Sequence, residues 1–283
     1  MRIIITGASS GLGLASAEAF AKKGHNILML ARRAGRLEKA AGDLADRYPQ
    51  AQIESQILDI SDFDQVKEFA QTQNQAIDVL MNNAGLMGPD FAFSKQGIEQ
   101  QMATNHLGHF LLTKLLWARL EQSSNPRVIS LSSVVHRRGN LGKLSLDSLR
   151  GANQQGYDRW QRYADSKLAC LMFARELDIR AKQHGGKVLS VAAHPGWAIT
   201  GLQENFPHVL DRLAQTASQG AQSQVYAATA SLTGGEFVGP TFELWGKPRL
   251  IRGSNHSQDL AVSQRLWDLS EELVGERFLS SRK

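Results

Sequence analysis

Residues 163–167 read YADSK, inside the run RYADSKLACLMFARELDIRAKQ, whose composition suits a helix. One turn of helix places Tyr163 and Lys167 on the same face. A phenol titrates near pH 10, too high for an effective base at neutral pH, and a nearby cation favours its ionised form. Such a pair can pass a proton to or from a reacting oxygen. On an exposed helix the same two residues would be an ordinary surface contact, so their meaning depends on what stands beside them. A hydroxyl is available at LSSVVH, where an apolar run ends in Ser132 and Ser133. A hydroxyl at a strand end can donate to an oxygen on which negative charge develops.

A phosphate-binding turn precedes these residues. TGASSGLG, residues 6–13, joins an apolar run to a helical one and supplies Gly7, Ser9, Ser10, Gly11, Leu12 and Gly13. Glycines allow a tight turn and a close approach to a pyrophosphate, and the helix start offers free N–H groups and the positive end of its dipole. A glycine-rich turn is weak evidence alone and much stronger between a first strand and a first helix. The second apolar run ends LARR, with Arg32 and Arg33 where an NAD site usually carries an acid for the ribose hydroxyls. A carboxylate would repel a 2′-phosphate, whereas a guanidinium binds it bidentately. NADP(H) is therefore expected over NAD(H).

The elements that must hold these residues alternate in type. Strands are expected at 2–5, 26–31, 52–58, 77–82, 127–132 and 187–193, with TFELW, 241–245, as a seventh. Helices are expected at 12–23, 36–47, 62–73, 97–121, around YADSK, and at 258–274. Strands separated by helices imply parallel pairing with right-handed crossovers. The expected fold is α/β: a single doubly wound Rossmann-type parallel sheet of about seven strands, helices on both faces, and ligands at the strands' carboxyl ends. No linker or repeat divides the chain, so residues 1–283 are read as one dinucleotide-binding and catalytic domain.

In its T-G-x-x-x-G-x-G spacing the chain resembles the short-chain dehydrogenase/reductase family. The resemblance extends over nearly the whole length: Asp59 after the third strand, NNAG at 82–85, Asn105, Ser133, Tyr163, Lys167 and HPGWAIT at 194–200 stand in the family's order. NHLGHFLLT, SSVVH, YADSKLA, HPGW and RLWDLSEELVG look most like the retinol dehydrogenase and protochlorophyllide reductase-like branch. The resemblance implies hydride transfer between a nicotinamide and a carbonyl or alcohol. It makes Ser133, rather than Ser132, the catalytic serine, and gives Lys167 the nicotinamide ribose. It gives Asn105 a water linking Lys167 to solvent. It places Asp59 and Ile60 beside the adenine, Asn83, Ala84 and Gly85 along the cofactor, and Pro195, Gly196 and Thr200 near the carboxamide. It also implies a substrate lid at about 197–240, whose Trp197, Leu202, Phe206, Val209, Leu210 and Leu213 suit a hydrophobic substrate. Many family members are dimers, and Leu107, Phe110, Leu111, Leu168, Leu171 and Met172 could form such a seam or face the sheet. The thirty positions from Ser133 to Tyr163 exceed the simplest family pattern and match an insertion in this branch.

Two rival functions fit the sequence less well. A catalytically silent NADP-binding regulatory protein would have no need of the Ser133, Tyr163 and Lys167 set. A nucleotide-sugar epimerase or dehydratase would have a larger C-terminal domain and other glycine spacing.

Composition excludes little else. The chain has 42% hydrophobic residues, 21% charged and a net charge of +5, which is ordinary for a globular protein. No basic run is interleaved with aromatics, so no nucleic-acid partner is expected. No apolar run is long enough for a membrane span, and a cytoplasmic protein is the default. The single cysteine, Cys170, allows no internal disulfide and reads as a small core residue. His106, His136 and His194 form no ligand signature, and no metal is expected.

Overall fold

The structure is a computed structural model that describes residues 1–151, 154–198 and 214–280. Among these residues eight strands form one sheet in the order β3-β2-β1-β4-β5-β6-β7-β8. They are β1 (Arg2–Thr6), β2 (Asn26–Ala31), β3 (Ile53–Ile57), β4 (Val79–Asn82), β5 (Arg127–Leu131), β6 (Leu189–Ala193), β7 (Phe237–Pro240) and β8 (Pro248–Ile251). The first seven run parallel, and β8 pairs antiparallel with β7. The strand order reverses between β1 and β4, and a cleft opens beyond the carboxyl ends of strands at such a switch.

Alternation along each strand divides the core in two. Ile3, Ile5, Met29, Met81, Ile129 and Val191 face α1 (Gly11–Ala21), α2 (Ala34–Arg47) and α8 (Ala217–Thr229). Ile4, Leu28, Leu80 and Val128 face α3 (Phe63–Thr72), α5 (Gly108–Leu120), α7 (Arg159–Gln183) and α9 (Leu260–Val274). Both faces of the central strands are covered, which is why they read as continuous apolar runs.

Two expectations need correction. TFELW is a turn, closed by Phe242 N–H donating to the Trp245 carbonyl at 3.0 Å. The seventh strand lies just before it and an eighth after it, and the paired prolines Pro240 and Pro248 end that ladder because neither can donate a hydrogen bond. The helix expected over 97–121 is α4 (Gln100–Met102) running into α5 through a π-helical turn, Ala103–Leu107. Such turns widen a helix by one residue and collect at functional sites; this one carries Asn105. The six residues left open between a dimer seam and the sheet are all 0% exposed within the chain, which is the second of those two readings. Trp267 of α9 covers one of them, edge-on to Phe110 at 4.9 Å, and stacks on the neighbouring Phe173 at 5.8 Å.

Candidate active site

The glycine turn is shaped by close approach. Gly7 and Gly11 have φ of +66° and +54°, conformations that side chains resist. A Cβ built on Gly13 would stand 2.4 Å from the Gly7 carbonyl oxygen, and one on Gly7 2.8 Å from Ala84 Cα. Larger residues at either position would force the loop away from β4. Thr6, at the end of β1, fixes the two loops together: its hydroxyl oxygen accepts from the N–H groups of Asn83 and Ala84, each at 2.9 Å. The Asn83 amide donates to the Thr6 carbonyl at 2.7 Å, and its Oδ1 is buried with no hydrogen-bond partner among the described residues. The side chain of Ser10, the N-cap of α1, makes no capping bond.

These residues line a cavity of about 330 Å³ with Ser9, Leu12, Asp59, Ile60, Gly85 and three arginines, Arg32, Arg33 and Arg36. No ion pair reaches those guanidinium groups from the described residues. Arg33 is the N-cap of α2 and Arg36 lies in its first turn, where the helix dipole disfavours cations and welcomes an anion. Asp59 is turned to its own loop, its Oδ1 accepting from Ser61 N–H at 2.9 Å and Ser61 Oγ at 2.7 Å. Ile60 is pinned against α5, where a Cβ on Gly108 would overlap the Ile60 carbonyl. A cradle closed to side chains, a helix N-terminus, the unpartnered Asn83 oxygen and an arginine cluster fit a phosphorylated dinucleotide.

The second cavity, about 690 Å³, shares Leu12, Asn83, Gly85, Leu86, Met87 and Leu131 with the first. Ser133, Tyr163 and Lys167 line it together. The Lys167 ammonium lies 5.8 Å from the centroid of the Tyr163 ring and donates to the Leu131 carbonyl at 3.0 Å. Burial pushes the Tyr163 phenol up to about 12, while a hydrogen bond with Ser133 pulls the other way. This differs from the expected depression by Lys167. The phenol is enclosed, so desolvation of its anion dominates, and burial lowers the pKa of the lysine itself.

The two serines at the end of β5 divide their work. Ser132 is buried and donates to the Lys167 carbonyl at 2.7 Å. Ser133 is the N-cap of a 3₁₀ turn, Val134–Arg138, and its Oγ accepts a long 3.4 Å contact from Val135 N–H. Asn105 is held across the cleft floor. Its Oδ1 accepts from Leu86 N–H at 2.8 Å, and its Nδ2 donates to the Leu86 carbonyl at 3.0 Å and Ser166 Oγ at 2.8 Å. Its backbone carbonyl accepts from Cys170 Sγ at 3.0 Å and meets His109 Nδ1 at 3.1 Å.

Pro195 and Gly196 close the cleft after β6. Gly196 has φ +76° and donates its N–H to His194 Nδ1 at 3.0 Å. Gln215 clamps this turn, donating to the carbonyls of Pro195 at 2.9 Å and Leu244 at 3.0 Å. Thr200, Leu202, Phe206, Val209, Leu210 and Leu213 lie outside the described residues. Of the span expected as a lid, Ala217–Thr229 forms α8 and packs against the sheet.

Sequence reasoning missed Thr6, His109, Gln215 and Arg36. In the sequence Thr6 is only the first residue of the glycine motif, and Arg36 is one helical turn beyond Arg33. His109 bridges the two halves of the site, Nε2 meeting Thr6 Oγ1 at 2.9 Å. Only its place four residues after Asn105 could have signalled this. His106, His136 and His194 are each tied to a different neighbour: Ser270 Oγ, the Ser133 carbonyl and Gly196 N–H. Among the described residues no group of three His, Cys, Asp or Glu could hold a metal ion, and no helix is long and apolar enough to cross a membrane.

The family model for short chain dehydrogenase matches residues 1–145. Retinol dehydrogenase 12 of Bos taurus is 32% identical over 288 residues, covering 98% of this chain and 87% of that protein. Short-chain dehydrogenase TIC 32 B, chloroplastic, of Brassica napus is 31% identical, covering 96% of this chain and 88% of that one. A crystal structure of a protein from Mycobacterium paratuberculosis is 36% identical, with a TM-score of 0.84 over 98% of this chain and 94% of that one. Motif order, sheet topology and a cleft that joins a glycine cradle to a Tyr–Lys pair thus lead to one assignment: the chain belongs to the short-chain dehydrogenase/reductase family, in its retinol dehydrogenase-like branch, as an NAD(P)-dependent oxidoreductase.

Proposed function

We propose that the protein is an NADP(H)-dependent oxidoreductase acting on a hydrophobic carbonyl or alcohol. The observation that carries this reading is the continuity of the two cavities, which share a wall from Leu12 to Leu131 and hold the arginines at one end and Tyr163 at the other. The glycine turn and the first turn of α1 would hold the pyrophosphate, and Arg32, with Arg33 and Arg36 beside it, the 2′-phosphate. Lys167 would bind the nicotinamide ribose, and Pro195 and Gly196 would border the carboxamide. Bound nicotinamide would exchange a hydride with the substrate carbon.

The remaining work belongs to the chain. Tyr163, kept protonated by burial, would give its proton to the carbonyl oxygen in reduction and recover one in oxidation. Ser133 would donate a hydrogen bond to the same oxygen as charge develops on it. Asn105 would fix the floor beneath Lys167. Met87, Val134, Val135, Trp197 and Leu244 give the second cavity an apolar lining, which supports a hydrophobic substrate.

The test is fluorescence titration with NADPH and NADH, followed by a panel of aldehydes, ketones and alcohols with each nucleotide. Tighter NADPH binding with turnover of an apolar carbonyl is expected. NADPH binding with no turnover across the panel would favour a silent binding protein, and equal affinities would overturn the cofactor choice.

A further inference from the structure

The second cavity has a wall that the proton-transfer groups do not explain. Trp160 stands three residues before Tyr163 on α7, 42% exposed, and lines the cavity with Met87. Its ring lies over Gly88, where a built Cβ would be 2.9 Å from Cζ3 and 3.0 Å from Cη2. A large, partly exposed indole keeps such a place only if the elements on both sides of it are fixed.

A buried carboxylate fixes them. Glu99 is 1% exposed and both of its oxygens are filled. Oε1 accepts from Gln101 N–H at 2.9 Å and Tyr157 Oη at 2.9 Å; Oε2 accepts from Met102 N–H at 2.9 Å and Arg162 Nε at 2.8 Å. Arg162 spends its other nitrogens on the carbonyls of Ser148 and Leu149, at 2.9 and 2.5 Å. These lie in a short helix, α6 (Leu146–Arg150), in the long excursion between Ser133 and Tyr163. Gln101 completes the clasp: its Oε1 accepts from Gly88 N–H at 2.9 Å, and its Nε2 donates to Tyr157 Oη at 2.8 Å and the Arg159 carbonyl at 3.0 Å. The loop after β4, the excursion and the first turn of α7 are thereby tied to one carboxylate. Trp160 sits between two of these ties, Arg159 and Arg162.

We propose that Trp160 is a specificity-determining residue and Glu99 the positioning residue that acts through it, so that the cavity takes planar, ring-bearing carbonyls or alcohols in preference to linear ones. A flat indole gains a stacking or edge contact from an aromatic ring beyond simple burial of area, and a flexible chain does not supply it. Trp197 lines the same cavity, so a flat ligand has a second indole within it. A satisfied buried carboxylate of this kind holds geometry, because loosening it leaves charge uncompensated in the interior. The inference rests on the oxidoreductase reading and concerns only what that site selects.

The experiment compares 2-naphthaldehyde with hexanal, by NADPH oxidation and by quenching of tryptophan fluorescence. In Trp160→Ala the kcat/KM ratio of 2-naphthaldehyde to hexanal is expected to fall by roughly tenfold, the scale of one aromatic contact. The change should appear in KM for the ring substrate more than in kcat, and Trp160→Phe should recover most of it. Glu99→Gln should shift the ratio in the same direction, with Tyr157→Phe as a milder variant if Glu99→Gln does not fold. A merely structural role for Glu99 would lower both substrates alike. An unmoved ratio, or an unmutated protein that neither binds nor reduces 2-naphthaldehyde, overturns the proposal. Quenching that depends on Trp160 without turnover of either aldehyde would sustain the ring preference and sink the redox reading instead.

Discussion

The Ser132 hydroxyl donates to the backbone carbonyl of Lys167 at 2.7 Å. The end of β5 is thus bolted to the α7 turn that carries the Tyr–Lys pair. Both serines line the cavity, but the Ser132 hydroxyl is committed to this bond while that of Ser133 is turned to Tyr163. The two serines should therefore respond differently to mutation. Ser133→Ala is expected to lower kcat by roughly 10²–10³-fold, the usual loss for one donor to a developing oxyanion, with NADPH affinity unmoved. Ser132→Ala is expected to lower stability by about 1 kcal/mol, the usual net worth of one hydrogen bond. Urea unfolding alongside steady-state kinetics separates the two, and the reverse pattern would move the catalytic role to Ser132.

Tyr163→Phe deletes the hydroxyl and keeps the ring, so it tests the proton donor alone. Loss of a positioned acid lowers the rate by roughly 10²–10⁴-fold, and that loss is expected in kcat with NADPH binding retained. Burial favours the neutral phenol and raises its pKa to about 12. Reduction, which needs the protonated form, should then stay level across neutral pH, while oxidation, which needs the anion, should climb with alkalinity. Lys167→Met removes an ammonium 5.8 Å from the centroid of the Tyr163 ring, and a cation at that range favours the phenolate. Any oxidation that survives should have its limb displaced to higher pH, and NADPH should bind more weakly. Oxidation limbs that coincide in Lys167→Met and the unmutated protein would remove the electrostatic role of Lys167.

Arg32 follows directly on β2 and lines the first cavity beside Arg33 and Arg36. Arg32→Asp places a carboxylate where the 2′-phosphate is proposed to lie. NADPH affinity should fall by an order of magnitude or more, since each tenfold step is about 1.4 kcal/mol. NADH affinity should hold or rise. If NADPH affinity is unmoved, the phosphate contact lies with Arg33 or Arg36, and the single variants at those positions will show which.

The parts of the fold visible in the sequence were those written in local pattern. Ile3 to Ile5 and Ile27 to Leu30 are apolar on both faces because both faces are covered, and the glycines of 6–13 announce the turn between β1 and α1. The strand after residue 236 escaped because TFELW mimics one: its alternation comes from a turn in which Leu244 faces the cleft and Phe242 and Trp245 face outward. The apolar stripe of α5 and α7 was legible, but its partner was not. Nothing local says whether Phe110 meets a second subunit or Trp267 of its own chain, 157 positions away. At the site, Tyr163, Lys167 and Ser133 could be named from order and spacing. Thr6, His109 and Gln215 could not, because each acts through bonds between segments far apart in sequence.

Three enclosed histidines predict how the protein meets acid. Burial pushes His106 to about 3, His109 to about 4 and His194 to about 3, each from an ordinary value near 6.5. A histidine whose folded pKa is depressed stabilises the fold fully above its unfolded value. It loses that contribution as pH falls toward the folded one, because the unfolded chain takes up the proton first. The window therefore opens near pH 6.5 and runs down to about 3, with a slope approaching 1.4 kcal/mol per pH unit for each group that titrates only when unfolded. His109 ties this loss to the site, since it links Thr6 Oγ1 at 2.9 Å to the Asn105 carbonyl at 3.1 Å. The urea midpoint is expected to drop steeply between pH 6.5 and 4.5. His109→Gln, which keeps a polar side chain but cannot become an imidazolium, should flatten that descent while weakening NADPH binding at pH 7. A descent equally steep in His109→Gln would assign the acid sensitivity to the other two histidines and leave His109 only its bond to Thr6.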